Sequence, residues 1–157
     1  MIIYSYNDFE RDSITLAGQI KNSGIEFSAI LGIARGGLAL AQFLSYLLGV
    51  RACLSLSSIS YGGDQKIHEP RLAFVPALDA FERVLIVDDI IDSGESMKVV
   101  FDTLKSRFEC DFHTAALFYK TTACFKPEFF INPTQEWIQF PWEYELDEIL
   151  ARNNEQS

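Results

Sequence analysis

Four apolar residues in a row, Val84-Leu85-Ile86-Val87, run directly into two acids, Asp88-Asp89. A run this short and this uniformly apolar has no polar side to turn toward water. It must be covered on both faces, the condition of an interior strand in a parallel sheet. Residues 28–34, SAILGIA, are a second run of the same kind, and residues 112–119 a third. Residues 51–59 alternate loosely, as a less buried strand does.

Helical spacing fills the intervals. Asn7 with Glu10 three residues on predicts a capped opening helix with Phe9, Leu16, Ala17 and Ile20 on one face. Leu40, Phe43, Leu44, Leu47 and Leu48 predict a second helix that Gly49 stops. Met97, Val100, Phe101, Leu104 and Phe108 predict a third, opening at Gly94. Strands alternating with helices at these distances imply right-handed βαβ units. The expected fold is α/β: one open, mainly parallel sheet flanked by helices on both faces. Ligands in such folds sit beyond the carboxyl ends of the strands, so the chemistry is expected just after residues 34, 59, 88 and 119.

Composition narrows the function. The 157 residues make one domain, with 22 acidic against 13 basic side chains and a net charge of −9. That surplus argues against a nucleic-acid partner, since phosphate contacts need clustered Lys and Arg. An anionic substrate would need local help, such as a divalent cation. Three cysteines, Cys53, Cys110 and Cys124, have no metal-site spacing, and their odd number argues against a disulfide framework. No apolar run approaches the ~20 residues of a membrane span, and the first residues do not read as a leader. A cytoplasmic protein is expected. The domain is read as residues 1–145. Residues 146–157 are left as an acidic tail, either a subunit contact or a disordered end. His68 and His113 have no partner visible in the sequence.

The acids at the strand end continue as Asp88-Asp89-Ile90-Ile91-Asp92-Ser93-Gly94-Glu95-Ser96. Backbone N–H groups of a Ser-Gly turn at a helix N-terminus form an anion site, and Ser93 and Ser96 add hydroxyl donors. Gly94 lets the backbone approach closely, while Glu95 must point outward. The carboxylates of Asp88 and Asp89 would repel phosphate but can accept from sugar hydroxyls or hold hydrated magnesium. A phosphorylated sugar fits such a strand end better than bare phosphate. A solvated strand edge would account for the acids alone. A response-regulator receiver would need its acids near the N-terminus and a later strand ending in Asp, and a nucleotide P-loop is absent.

The stretch resembles the phosphoribosyl-diphosphate (PRPP) motif of type I phosphoribosyltransferases, an apolar strand followed by D-D-x-x-D-[ST]-G-x-[ST], with every fixed position filled. Arg35-Gly36-Gly37 after the first strand resembles that family's pyrophosphate loop, in which the preceding peptide, here Ala34-Arg35, is often cis. Arg offers a bidentate donor to an oxyanion there. Lys120, at the end of a strand, and Trp137-Ile138 within WIQFPWE resemble the base-reading end of xanthine-guanine and related 6-oxopurine phosphoribosyltransferases. The resemblance implies that Lys120 reads the 6-oxo group, that Trp137 stacks on the purine, and that backbone near Ile138 contacts the 2-position. Ser60-Tyr61 resembles the family's flexible lid, with Lys66 and Arg71 available to shield phosphates.

The implied activity is purine salvage: transfer of 5-phosphoribosyl from PRPP to guanine, xanthine or hypoxanthine, with Mg²⁺. Arg35, Gly36 and Gly37 would balance the leaving pyrophosphate, Asp88 and Asp89 would grip the ribose with Asp89 toward the metal, and Asp92 would be the base toward the purine. The family is usually a homodimer or homotetramer. The alternatives are a phosphoribosyltransferase for another base, or a regulator of the same fold that binds PRPP without turnover.

Overall fold

The computed structural model describes residues 1–59 and 70–155. Its larger compact unit, Asp12–Gln135, is built on a six-stranded sheet. In chain order its strands are β2 (Ala29–Ala34), β3 (Cys53–Ile59), β4 (Arg71–Ala73), β5 (Arg83–Ile91), β6 (Asp111–Lys120) and β7 (Phe129–Thr134). Their spatial order is β4-β3-β2-β5-β6-β7. All pairings are parallel except β3 with the short edge strand β4. The fold class read from the sequence is the one observed; β4 and β7 are additions to it.

Both faces of the sheet are covered, as the apolar runs require. Leu31, Ile33, Val84 and Ile86 share one core with Met97, Val100 and Leu104 of helix α3 (Glu95–Arg107). Side chains alternate along a strand, so Ile30, Gly32 and Leu85 face the other way. There helix α2 (Gly37–Leu47) lies so close that a Cβ on Gly32 would stand 2.9 Å from that of Ala41. Leu40, Ala41 and Leu44 of α2 are buried, whereas Leu47 is exposed. The helix ends at Leu48, and Gly49 follows with φ +67°, the left-handed conformation that favours glycine.

Helix α1 (Tyr6–Asn22) begins one step earlier than its predicted cap. The Ser5 hydroxyl accepts from the Asp8 N–H at 3.1 Å, and the Asp8 carboxylate accepts from the Ser5 N–H at 3.0 Å. This reciprocal pair replaces the cap expected from Asn7 and Glu10. The Ser5 hydroxyl also donates to the Asp8 carboxylate at 2.6 Å, and this bond first, then the one from the Ser5 N–H, holds that carboxyl below its usual range. Leu16, Ala17 and Ile20 are buried as expected, together with Asp12, whose carboxylate accepts from the Asn132 amide at 3.0 Å.

The smaller unit comprises Met1–Arg11 and Glu136–Ser157. Strand β1 (Ile2–Ile3) pairs in parallel with β8 (Ile138–Gln139). Phe140, 1% exposed, stacks on Trp142 with ring centroids 5.1 Å apart, and both Tyr4 and Phe9 add edge-on contacts. The stretch left as an acidic tail forms helix α4 (Leu146–Glu155), with none of its residues buried. No described helix is long and apolar enough to cross a membrane.

At the amino end of β6, His113 has the partners that the sequence did not reveal. Its Nε2 lies 3.1 Å from the Asp111 carboxylate, its Nδ1 meets Glu128, and its ring packs edge-on against Phe27. Burial pulls the imidazole pKa down, but hydrogen bonds to Asp111 and Glu128 and their charges outweigh it, and the net shift is upward. A pKa raised by folding means that the charged ring stabilises the fold fully below its unfolded pKa of about 6.5 and ceases to do so as pH rises through the folded value. The stability gap between wild type and His113→Ala, taken from urea midpoints, is therefore expected to be wider at acidic than at alkaline pH. A gap constant with pH would contradict this assignment.

Candidate active site

Strand order places the site. From β2 the chain moves to β3 on one side, and β5 lies on the other, so the sheet reverses its winding between β2 and β5. Loops leaving two such strands part to opposite faces and open a crevice at their carboxyl ends. Those two ends carry Arg35-Gly36-Gly37 and Asp88-Asp89. The sequence reads as a strand that ends at its acids, with Asp88 last, whereas β5 runs on to Ile91, and Asp88, Ile90 and Ile91 still pair with β6. The acids are therefore held by the sheet itself.

The two segments touch. A Cβ on Gly36 would fall on the Asp89 carboxyl, and one on Gly37 would stand 3.1 Å from the Asp88 Cα. Glycine is required here by close approach, since Gly36 itself has ordinary helical angles (φ −56°, ψ −38°). The Ala34-Arg35 peptide is cis, as the resemblance implied, and Arg35 is exposed beside it. Asp89 is 7% exposed, and its Oδ1 accepts from the Ile90 N–H at 2.7 Å. Half-buried Asp88 accepts from the Asp89 N–H at 2.9 Å. Burial first, and then the adjacent Asp89 charge, push the Asp88 carboxyl well above its usual range. A cation or a row of hydroxyl donors would relieve that repulsion.

These residues suit magnesium of one particular kind. Among the described residues no group of three or more His, Cys, Asp or Glu could cage a metal. Mg²⁺ commonly keeps its waters and takes one or two carboxylates plus substrate phosphate oxygens. Asp89, with Asp88 beside it, fits that donor set.

The turn after β5 continues the crevice. Asp88, Ile90, Ile91, Asp92, Ser93, Gly94, Ser96 and Met97 line a cavity of about 110 Å³. Gly94 takes φ +87°, and the Ser93 hydroxyl accepts from the Glu95 N–H at 3.3 Å, so α3 opens with its first amides gathered at this turn. Glu95 is exposed, as an acid in an anion turn must be. Lys120, at the end of β6, reaches across to Asp92, with Nζ and Oδ1 2.9 Å apart. The lysine side chain is 19% exposed and the aspartate 57%, so the pair presents one donor and one acceptor at the mouth of the crevice.

The remaining predicted residues fall elsewhere. Trp137 and Ile138 belong to the smaller unit. The Trp137 side chain is 61% exposed, while its carbonyl accepts from the Ile2 N–H at 2.8 Å. The carbonyl of Gln139 accepts from Tyr4 in the same way, so strand alternation turns the Ile138 carbonyl to the opposite side. Ser60, Tyr61 and Lys66 lie outside the described residues. Arg71 sits in β4, opposite Ile59. One contact had no sequence signal: the turn of residues 121–125 packs on the Ser93-Gly94 turn, and the Cys124 N–H donates to the Ser93 carbonyl at 2.8 Å.

Comparison with known proteins agrees with this geometry. A family model of the phosphoribosyl transferase domain matches residues 2–149. Xanthine-guanine phosphoribosyltransferase of Gluconobacter oxydans is 33% identical over 144 residues, 88% of this chain and 82% of that one. The solved structure of the Helicobacter pylori xanthine-guanine-hypoxanthine phosphoribosyltransferase superposes with a TM-score of 0.86 at 32% identity, covering 96% of this chain and 98% of the other. A purine phosphoribosyltransferase from Pyrococcus horikoshii superposes with a TM-score of 0.80 at 28% identity, covering 92% and 94%. The crevice between β2 and β5, its filled motif and these relatives lead to one conclusion: the chain belongs to the phosphoribosyltransferase family.

Proposed function

We propose that this protein is a purine-salvage enzyme that transfers the 5-phosphoribosyl group of PRPP to a 6-oxopurine, releasing pyrophosphate and a nucleoside monophosphate. The observation that carries the choice of base is the Lys120–Asp92 pair at the mouth of the crevice. An oxopurine presents an oxygen acceptor next to a ring N–H. Lys120 would donate to the first and Asp92 accept from the second, so the base replaces an ion pair with two charge-assisted hydrogen bonds. Adenine, with an amino group in place of the oxygen, would set a donor against the ammonium. By the family resemblance, Trp137, whose indole is exposed, would stack on the purine, and the backbone near Ile138 would contact its 2-position. The names of two relatives, for xanthine with guanine and for xanthine, guanine and hypoxanthine, support the same class.

The remaining groups share the sugar and its phosphates. Amides and hydroxyls of Ser93, Gly94, Glu95 and Ser96 would bind the 5-phosphate, and Asp88 and Asp89 the ribose hydroxyls. Arg35 with the N–H groups of Gly36 and Gly37 would stabilise charge on the departing pyrophosphate. As a base nitrogen forms its bond to C1 and the bond from C1 to the pyrophosphate oxygen breaks, Asp92 would take the proton from N7, the ring nitrogen on the side of the 6-oxygen. Bound Mg²⁺ would supply charge neutralisation at the pyrophosphate oxygens. The setting proposed is the cytoplasm, and the assembly a homodimer or homotetramer.

The test is pyrophosphate release from PRPP and Mg²⁺ with guanine, xanthine, hypoxanthine and adenine in parallel. Turnover is expected with one or more oxopurines and not with adenine. PRPP binding without turnover on any base would favour a regulator of the same fold, and preference for adenine would refute the role of Lys120.

A further inference from the structure

The turn of residues 121–125 is tied down on three sides. Its Thr121 hydroxyl is hydrogen-bonded by the Gln135 amide just beyond β7. The Phe125 ring lies against Phe101 of α3, with centroids 5.6 Å apart. The Ala123 N–H closes the turn on the Lys120 carbonyl at 2.9 Å. Its free edge then meets the Ser93-Gly94 turn. The Cys124 N–H donates to the Ser93 carbonyl at 2.8 Å, and a Cβ on Gly94 would stand 2.7 Å from the Phe125 nitrogen and 3.1 Å from that of Cys124.

A peptide plane held at its carbonyl is held at its N–H as well. In a trans peptide the C=O and the following N–H point in opposite directions. The Ser93-Gly94 peptide is not among the cis bonds of the chain. With the Ser93 carbonyl fastened to Cys124, the Gly94 N–H must point away from the 121–125 turn, and Gly94 lines the cavity beside α3. Left-handed Gly94 has no Cβ to resist a peptide flip, so this orientation is not set by local sterics. A flip would present the carbonyl oxygen where the anion belongs.

We propose that the Cys124 backbone N–H is a positioning group, which locks the Ser93-Gly94 peptide with its N–H toward the 5-phosphate of PRPP. The inference rests on the functional reading above. It concerns the backbone of the 121–125 turn and requires nothing of the Cys124 thiol. It also gives the strand end that carries Lys120 a second role, because the segment that reads the base then shapes the phosphate site as well.

The test compares Cys124→Pro, which removes the N–H, with Cys124→Ala, which removes only the thiol. PRPP dissociation constants are measured by calorimetry alongside amide hydrogen exchange of the wild type. Binding by the Pro variant is expected to be at least ~10-fold weaker than by the Ala variant, as for loss of a hydrogen bond that orients a donor to a charged group. KM for the base should change less than KM for PRPP. Phe125→Ala, which loosens the turn without touching an N–H, should fall between the two if the Pro variant folds, and should show the same PRPP-selective loss if it does not. In the wild type the Cys124 amide should exchange more slowly than an open loop amide. Equal PRPP binding by the Pro and Ala variants, an unprotected Cys124 amide, or equal losses for base and PRPP would overturn the proposal. A wild type that binds no PRPP would instead refute the functional reading, and this inference with it.

Discussion

Lys120→Ala is expected to lower kcat/KM for an oxopurine by roughly 10- to 150-fold, the equivalent of losing a charged hydrogen bond of about 1.5–3 kcal/mol. Two effects combine. The direct contact to the exocyclic oxygen goes, and Asp92, now 2.9 Å from the lysine nitrogen, loses the partner that holds its carboxylate at the crevice. The loss should appear mainly in the parameters for the base, because Lys120 lies at the end of β6 while the groups proposed for ribose and pyrophosphate lie within β5 and just after β2. The fold should tolerate the change. The aspartate partner is 57% exposed, and an ion pair this open to water contributes little to stability. Initial rates over a matrix of base and PRPP concentrations separate the effects. A value of kcat/KM within about twofold of wild type would remove Lys120 from base recognition.

Gly36→Ala is expected to cost about 100-fold in kcat/KM, the loss that a displacement near 1 Å produces in a positioned site. The substitution is instructive because the backbone permits it: Gly36 has φ −56° and ψ −38°, angles that alanine adopts freely. Only space is lacking, since the added methyl would fall on the Asp89 carboxyl. Asp89 is 7% exposed and hydrogen-bonded to the Ile90 N–H, so it cannot swing aside without breaking that bond. The loop must move, and Arg35 with it. Overpacking of this kind costs about 1–3 kcal/mol of stability, which urea unfolding can measure. The activity loss should exceed that of a stability-matched substitution elsewhere in the core. An alanine variant with wild-type rates would show that the contact between the two segments is not needed for function.

Legibility in the sequence followed the range of the interactions involved. Val84, Leu85, Ile86 and Val87 announced an interior strand because covering an apolar run on both faces is a demand that the run makes by itself. The helix face of Met97, Val100 and Leu104 was legible for the same reason. Leu47, on the predicted face of α2, is exposed because that helix meets the sheet along a narrower stripe. The cap of α1 was misplaced because Ser5 with Asp8 and Asn7 with Glu10 both satisfy a local pattern, and only the folded chain shows which hydroxyl or amide reaches an N–H. His113 gained Glu128 through the pairing of β6 with β7, which no spacing along one strand reveals, whereas Asp111 stands two residues before it on β6 itself, on the same face of the strand. Strands β4 and β7 lack the uninterrupted apolar character of the central strands, because an edge or neighbouring position in the sheet does not require it.

By itself the sequence determined the α/β class, the mainly parallel sheet and which side chains follow each apolar run, because periodicity and motif order are properties of consecutive residues. Tertiary structure alone decided which of those ends meet. The order β4-β3-β2-β5-β6-β7 sets the Arg35-Gly36-Gly37 loop on Asp88 and Asp89, and it brings Lys120 to Asp92. It also lays the 121–125 turn against Ser93 and Gly94. Contacts between residues this far apart along the chain depend on the order in which strands pair, and that order is set by how the whole chain covers its apolar faces.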